Sequence, residues 1–275
     1  MPVPFVTVDV FTTRKFRGNP AAVVLLSSSA PQPPEARPDD PPGTIRWFTR
    51  DGSEVDLCGH GTLAAAHALW DTHLVSRTRV VVFRTQRAGD LRVVPVGGWQ
   101  GLGEGLAEIS LPLSAPTLER LGADAEKCDA AAVTSALGLP LLDGTTRVKD
   151  QKTLRAATPR SDAIAALGGR GLVITCAATE KLNDEVDADF ESRFFGPNIG
   201  IDEDPVTGSA FCGLAPYWFE ALRELRAVEL IGYQASRRGG FAKVSVDGDR
   251  VRVKGCATTV MTGHIFDLKS ITEAP

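Results

Sequence analysis

The sequence lacks the cysteine pattern of a disulfide framework or a zinc site. Its five cysteines are widely spaced, odd in number and contain no C-x-x-C pair. Unpaired, widely spaced cysteines are typical of proteins in a reducing compartment. We therefore expect a cytoplasmic protein without a structural metal.

The chain also lacks a basic excess and a long apolar run. Its net charge of -4 argues against nucleic acid or an anionic membrane surface as a binding partner. The first ten residues do not read as a targeting segment, and no window approaches the length of a membrane span. With 275 residues and 43% hydrophobic content, the chain can form two compact domains or one large one.

One stretch, residues 200–214, has the composition of a site. Asp204 precedes the turn residue Pro205, and Thr207, Gly208 and Ser209 open an apolar run typical of a buried helix. Unpaired N–H groups at a helix start can hold an anion, so an acid beside them suggests proton transfer on a carboxylate substrate. The alternative is an ordinary loop in which Ser209 serves only as the helix N-cap.

A second stretch, residues 56–62, repeats this design. Gly59, His60 and Gly61 precede a small-residue helical run over residues 63–74. Two matching half-sites imply one cleft that binds a small carboxylate. His60 is the expected base there because its unperturbed pKa lies near neutrality. His60, Asp204 and the two helix starts can supply the donor and hold the developing negative charge.

The remaining patterns predict strands packed around one buried helix in each half. A hairpin turns at Gly18, Asn19 and Pro20, and a proline-rich surface loop follows over residues 27–43. Pro112 and Pro116 mark a boundary, so we expect domains at residues 1–113 and 117–275, with the last strand able to return to the first domain. In the first half, strands are predicted at residues 5–11, 21–26, 45–49, 79–83, 90–96 and 107–111. In the second half, further helices are predicted at 131–137 and 163–167, and strands at 171–176, 190–195, 241–246, 250–253 and 257–265.

Several segments together resemble the phenazine biosynthesis PhzF-like isomerase family. They are residues 8–12, 16–21, 46–49, 54–60, 204–210 and 214–218. The resemblance implies an α+β, diaminopimelate-epimerase-like fold: two similar domains, each a curved sheet around a central helix, with the active site between them. It also implies a homodimer that uses no metal or cofactor. The best understood member moves a proton from one carbon to another in a dihydro-hydroxyanthranilate ring.

Carried over position by position, the resemblance makes His60 and Asp204 the catalytic residues. Gly208 and Ser209 match the loop that holds the substrate carboxylate, and the other expected substrate contacts are Asn19, Gly59, Gly61 and Thr207. The family's main proton carrier is a Glu in a Ser-Glu-Thr-type segment. In this chain that interval is the proline-rich loop, where the only Glu is Glu35.

Three functions therefore stay open. The first is an isomerase of small cyclic or unsaturated carboxylic acids that acts through His60 and Asp204. The second is a catalytically silent relative that binds a carboxylate metabolite or a protein partner. The third is a cofactor-free racemase or epimerase using Cys58, which is disfavoured because Thr207 stands where a second thiol would be needed.

Overall fold

The computed structural model of the protein describes residues 2–26, 43–50, 52–97, 106–112, 130–139, 146–180, 186–225 and 227–266. The fold is α+β, and the chain divides into two compact units, residues 1–109 with 255–275 and residues 110–254. The boundary expected between residues 113 and 117 stays a prediction because residues 113–129 lie outside the described residues. Residues 27–42 of the proline-rich loop, and Glu35 with them, also lie outside them.

The first unit begins with the predicted hairpin, β1 (Val3–Val10) and β2 (Asn19–Val24). Along β1 the buried residues Val6, Val8 and Val10 alternate with less buried ones, as a strand covered on one face requires. The other strands that begin in this unit are β3 (Gly43–Thr44), β4 (Trp47–Phe48), β5 (Glu54–Val55), β6 (Val81–Arg84), β7 (Asp90–Pro95) and β8 (Leu106–Pro112).

Helix α1 (Gly59–Asp71) packs against β1, β2 and β7. Its run of alanines leaves no polar face, and buried residues occur around its whole circumference. The helix begins at Gly59, four residues before the start predicted from the apolar run. His60 therefore lies in the first helical turn.

The second unit contains a sheet in which β10 (Phe190–Phe195) and β11 (Leu230–Gln234) are parallel and the other neighbours are antiparallel. The parallel pair is joined by a crossover that carries α5 (Phe211–Ala221), and this helix runs through Pro216 without a break. The other elements of the unit are α2 (Ala130–Leu137), α3 (Gln151–Ala156), α4 (Ser161–Ala166), β9 (Leu172–Ala177), β12 (Gly240–Asp247) and the first part of β13 (Arg250–Ile265).

The two faces of this sheet are covered by different helices. A cluster of apolar residues from α2, α3 and α4 packs with Ile174 and Phe195 on one face. On the other face Phe190 stacks on Trp218 of α5, with ring centroids 5.6 Å apart, and meets Phe211 edge-on. Residues of β10 with even numbers therefore face α5, and those with odd numbers face the other helices.

The last strand is longer than the sequence indicates. The two strands predicted at 250–253 and 257–265 form one strand of 16 residues, β13. Its first residues pair with β12 in the second unit, and its later residues pair with β1 in the first. No helix among the described residues is long and apolar enough to cross a membrane.

The packing under α5 makes Gly232 sensitive to substitution. A Cβ at this position would lie 2.7 Å from Cε1 of Phe211 and would also collide with the ring of Phe190. We predict that Gly232→Val lowers the free energy of unfolding by about 1–3 kcal/mol, measured by urea denaturation. Gly43→Val is the matched control, since a strand Cβ there meets nothing within 4 Å. Equal stability of the two variants would contradict this account of the core.

Candidate active site

The loop around Asp204 starts at the carboxyl end of β10. After Phe195 the chain makes one 3-10 turn (Pro197–Ile199) and bridges back through Gly196 and Ile201. The N–H of Asp204 then donates to the carbonyl of Phe194 at 3.0 Å. Asp204 is thereby held beside the strand end and is only 9% exposed.

Each acid of the sequence Asp202-Glu203-Asp204 has its own partner. Asp202 accepts a hydrogen bond from Ser161 at 2.7 Å. Glu203 forms a two-bond ion pair with Arg193, at 2.7 and 3.0 Å. Oδ2 of Asp204 accepts from the hydroxyl of Thr207 at 2.6 Å. Because Glu203 is neutralised by an arginine, its charge adds little repulsion to Asp204.

A buried glutamine holds this loop from beneath. Gln234, the last residue of β11, is fully buried. Its Oε1 accepts from the N–H of Thr207 at 2.8 Å, and its Nε2 donates to the carbonyl of Asp204 at 2.6 Å and to Oγ1 of Thr207 at 3.2 Å. Both hydrogen-bond donors of Thr207 are therefore used, one by Gln234 and one by Asp204.

The next two residues present donors that the fold does not use. Among the described residues, the N–H groups of Gly208 and Ser209 have no acceptor. The N-cap position of α5 is Ala210, and no side chain caps this helix start. The interpretation of Ser209 as an ordinary N-cap is therefore wrong, and these N–H groups can hold an anion.

His60 occupies the corresponding place in the first unit. Cys58 stands at the N-cap of α1, but its side chain makes no capping bond, and its Sγ lies 3.3 Å from Nδ1 of His60. Burial lowers the pKa of His60 to about 4. The imidazole is neutral at pH 7, so one ring nitrogen carries a hydrogen and the other is an acceptor.

Gly61 has a packing reason to be glycine. A Cβ there would lie 2.8 Å from Cδ1 of Trp47 and 3.1 Å from Sγ of Cys58. Nε1 of Trp47 is buried and has no hydrogen-bond partner in the described part of the chain. The start of α1 is thus closely packed on one side by the indole ring of β4.

Asn19 is buried at the start of β2, directly after Gly18, whose φ of +62° only glycine adopts readily. The β1–β2 connection is held by Asp9, whose Oδ2 accepts from the N–H of Phe16 at 2.6 Å. Asn19 and His60 thus belong to the first unit, which α1 and β2 build together. Asp204 and the loop that follows it belong to the second unit.

Sequence reasoning assigned no role to four residues that support the site: Asp9, Trp47, Arg193 and Gln234. Asp9 and Trp47 lie in segments that carry the family resemblance, but a polar or aromatic side chain in a strand gives no local signal of its partner. Only the parallel register of β10 and β11 reveals Gln234, because it brings the end of β11 beside Ser192 and the loop after β10.

The structure also limits the roles of metal-binding side chains and of the other cysteines. Among the described residues, no three His, Cys, Asp or Glu side chains lie close enough to hold a metal ion. Burial raises the pKa of Cys212 to about 12, and it raises the pKa of Cys256 to about 11. These thiols stay protonated at neutral pH and are poor nucleophiles.

The comparisons with known proteins cover nearly the whole chain. The family model described as phenazine biosynthesis-like protein (PhzC-PhzF) matches residues 30–263. An uncharacterized isomerase of Halalkalibacterium halodurans is 33% identical over 97% of this chain and 99% of its own length. The mouse phenazine biosynthesis-like domain-containing protein 1 is 32% identical, over 96% and 99%.

A solved structure agrees with these matches. The crystal structure of a PhzF family protein from Enterococcus faecalis superposes with a TM-score of 0.77 at 30% identity, covering 97% of this chain and all of that one. The fold is thus the one that the resemblance implied, and an isomerase role is supported. The chain belongs to the phenazine biosynthesis-like, PhzC-PhzF family.

Proposed function

We propose that the protein is an isomerase that moves a proton between two carbons of a small cyclic or unsaturated carboxylic acid. The single observation that carries the proposal is a buried carboxylate, Asp204, held beside two N–H groups that no described residue uses. An anion site next to a fixed proton carrier is what such a reaction requires.

The burial of His60 changes the roles expected from the sequence. A histidine with a pKa of about 4 holds a proton weakly, so it is a poor base at pH 7. A neutral imidazole at a helix start is well suited to donate a hydrogen bond to a developing negative charge. We therefore assign His60 the role of donor.

Asp204 then becomes the proton carrier. The hydroxyl of Thr207 donates to its carboxylate and favours the ionised form, which is the form that accepts a proton. A carboxylate is also the group that the family's missing Glu would have supplied. In this proposal Asp204 replaces that Glu, whose counterpart by position would be Glu35.

The reaction balances without a cofactor. Asp204 removes a proton from one carbon, and the electron pair spreads into the unsaturated system that ends in the substrate carboxylate. His60 and the N–H groups at the helix starts stabilise the added charge. The Asp204 carboxyl exchanges its proton with water before it protonates a second carbon, and the double bond moves by this step. Gly59, Gly61, Gly208 and Ser209 stay candidate contacts of the substrate in this proposal.

Two alternatives compete with this function. Loss of the family's Ser-Glu-Thr segment favours a silent protein that only binds a carboxylate. Racemisation through Cys58 needs a second thiol, and Thr207 stands at the matching place with its hydroxyl already bonded to Asp204. A homodimer, a cytoplasmic location and independence of cofactors stay predictions.

Deuterium uptake from heavy water into a dihydro-hydroxyanthranilate test substrate, followed by NMR, tests the proposal. We expect the unmodified protein to exchange, and Asp204→Asn to lose exchange by about 100-fold or more. His60→Ala removes the donor and is expected to lose about 100-fold. Cys58→Ser is expected to retain activity, which separates this mechanism from the racemase.

His67→Ala is the matched control for His60→Ala. His67 is buried on the same helix and bonds Thr259 at 3.2 Å. Its loss should lower stability but leave exchange within about threefold, because it lies away from the helix start. Binding of the substrate without exchange by the unmodified protein would instead support the silent alternative.

The protonation state of His60 gives an independent prediction. Because burial lowers its pKa to about 4, the ring should stay neutral from pH 8 to pH 5. Nitrogen-detected NMR of the imidazole, assigned with His60→Ala, measures this directly. A titration midpoint near the ordinary value of about 6.5 would contradict the donor role and restore the role of base.

A further inference from the structure

We propose that Gln234 is a positioning residue that sets the protonation and direction of the Asp204 carboxyl through Thr207. This inference rests on the proposed function of Asp204 and extends it to two supporting residues. Its evidence is a continuous set of hydrogen bonds from the end of β11 to the carboxylate.

The orientation of the Gln234 amide follows from its two backbone partners. The N–H of Thr207 can only donate, so the atom that faces it at 2.8 Å must be the oxygen. The carbonyl of Asp204 can only accept, so the atom that faces it at 2.6 Å must be the NH₂ group. The amide therefore has one orientation in this site.

The same NH₂ group determines where the Thr207 hydroxyl points. It lies 3.2 Å from Oγ1 of Thr207, so this oxygen accepts from Gln234. Its own hydrogen is then directed to Oδ2 of Asp204, 2.6 Å away. Oδ2 is therefore held as an acceptor by this hydroxyl, which fixes the direction of the carboxyl group.

Burial makes this control strong. Gln234 is fully buried, and Thr207 and Asp204 are 7% and 9% exposed, so water competes weakly for these bonds. The loop is also held on the opposite face of the sheet, where the guanidinium of Arg193 binds Glu203 and donates to the carbonyls of Leu154 and Ala157. Asp204 thus sits between two fixed anchors and cannot easily turn.

Thr207 consequently has a different role from the one expected. Its N–H and its hydroxyl are both used by Gln234 and Asp204, so it supports the proton carrier. The substrate carboxylate is left to the N–H groups of Gly208 and Ser209.

The test follows the carboxyl carbon of Asp204 by ¹³C NMR over a pH titration, assigned with Asp204→Asn. Thr207→Val keeps the shape of the side chain and removes the hydroxyl. We expect the midpoint of the Asp204 signal to rise by about one pH unit, because the ionised form loses a donor. Thr207→Ser should restore it, and Gln234→Met should shift it in the same direction.

Thr175→Val is the matched control. Thr175 is equally buried, and its hydroxyl donates to the carbonyl of Glu191 at 2.6 Å and accepts from Trp218 at 2.9 Å. It makes the same kind of bonds in the same unit without a recorded bond to the Asp204 loop. An equal shift in Thr175→Val, or no shift in Thr207→Val and Gln234→Met, would overturn the proposal.

Exchange activity separates this inference from the proposed function. If the midpoint moves as expected but the unmodified protein never exchanges a proton, the positioning role stands and the isomerase proposal fails. If the protein exchanges and the midpoint does not move, the isomerase proposal stands and the positioning role fails. Where both hold, Thr207→Val should lower kcat about tenfold with KM nearly unchanged, and the acidic limb of its pH–rate profile should move upward.

Discussion

The parallel pairing of β10 and β11 is the constraint on which the rest of the second unit depends. Parallel strands end at the same edge of a sheet, so the residue that closes β11 lies beside the loop that leaves β10. The crossover between them must carry a helix, and α5 fills it with an apolar surface that packs on Phe190. The loop, its buried glutamine and its helix start all follow from this one pairing.

The two helix starts differ in what they hold. At α5 the carboxylate of Asp204 lies beside N–H groups that the described residues leave unused. At α1 a thiol and an imidazole lie 3.3 Å apart, and burial lowers the pKa of the imidazole to about 4. We propose that Asp204 carries the proton and that His60 donates to the developing charge.

The parts predicted from sequence are those with strong local patterns. The hairpin of β1 and β2, the strand β10 and the two alanine- or aromatic-rich buried helices follow from alternation and composition. Strand β11 was missed because Leu-Ile-Gly-Tyr-Gln has a glycine in its centre, and that glycine exists for contact with Phe190 and Phe211. Helix α3 was missed because six residues are too few for a periodic pattern.

Only part of the candidate site could be predicted from the sequence, for the same reason. His60, Asp204 and the glycines beside them stand in short motifs, whereas Gln234 acts across a strand pairing that no local pattern encodes. The pKa of His60 depends on burial, which the motif itself does not encode. The sequence therefore predicted a base from the unperturbed value, whereas the donor role is our proposal.

The most direct test is whether the start of α5 binds a carboxylate. Amide NMR signals of Gly208 and Ser209 can be followed while anthranilate, a stable aromatic carboxylate, is added. We predict that both signals move and saturate with the same dissociation constant, because both N–H groups hold the same carboxylate. Signals that do not move, or that give two different constants, would contradict an anion site at this helix start.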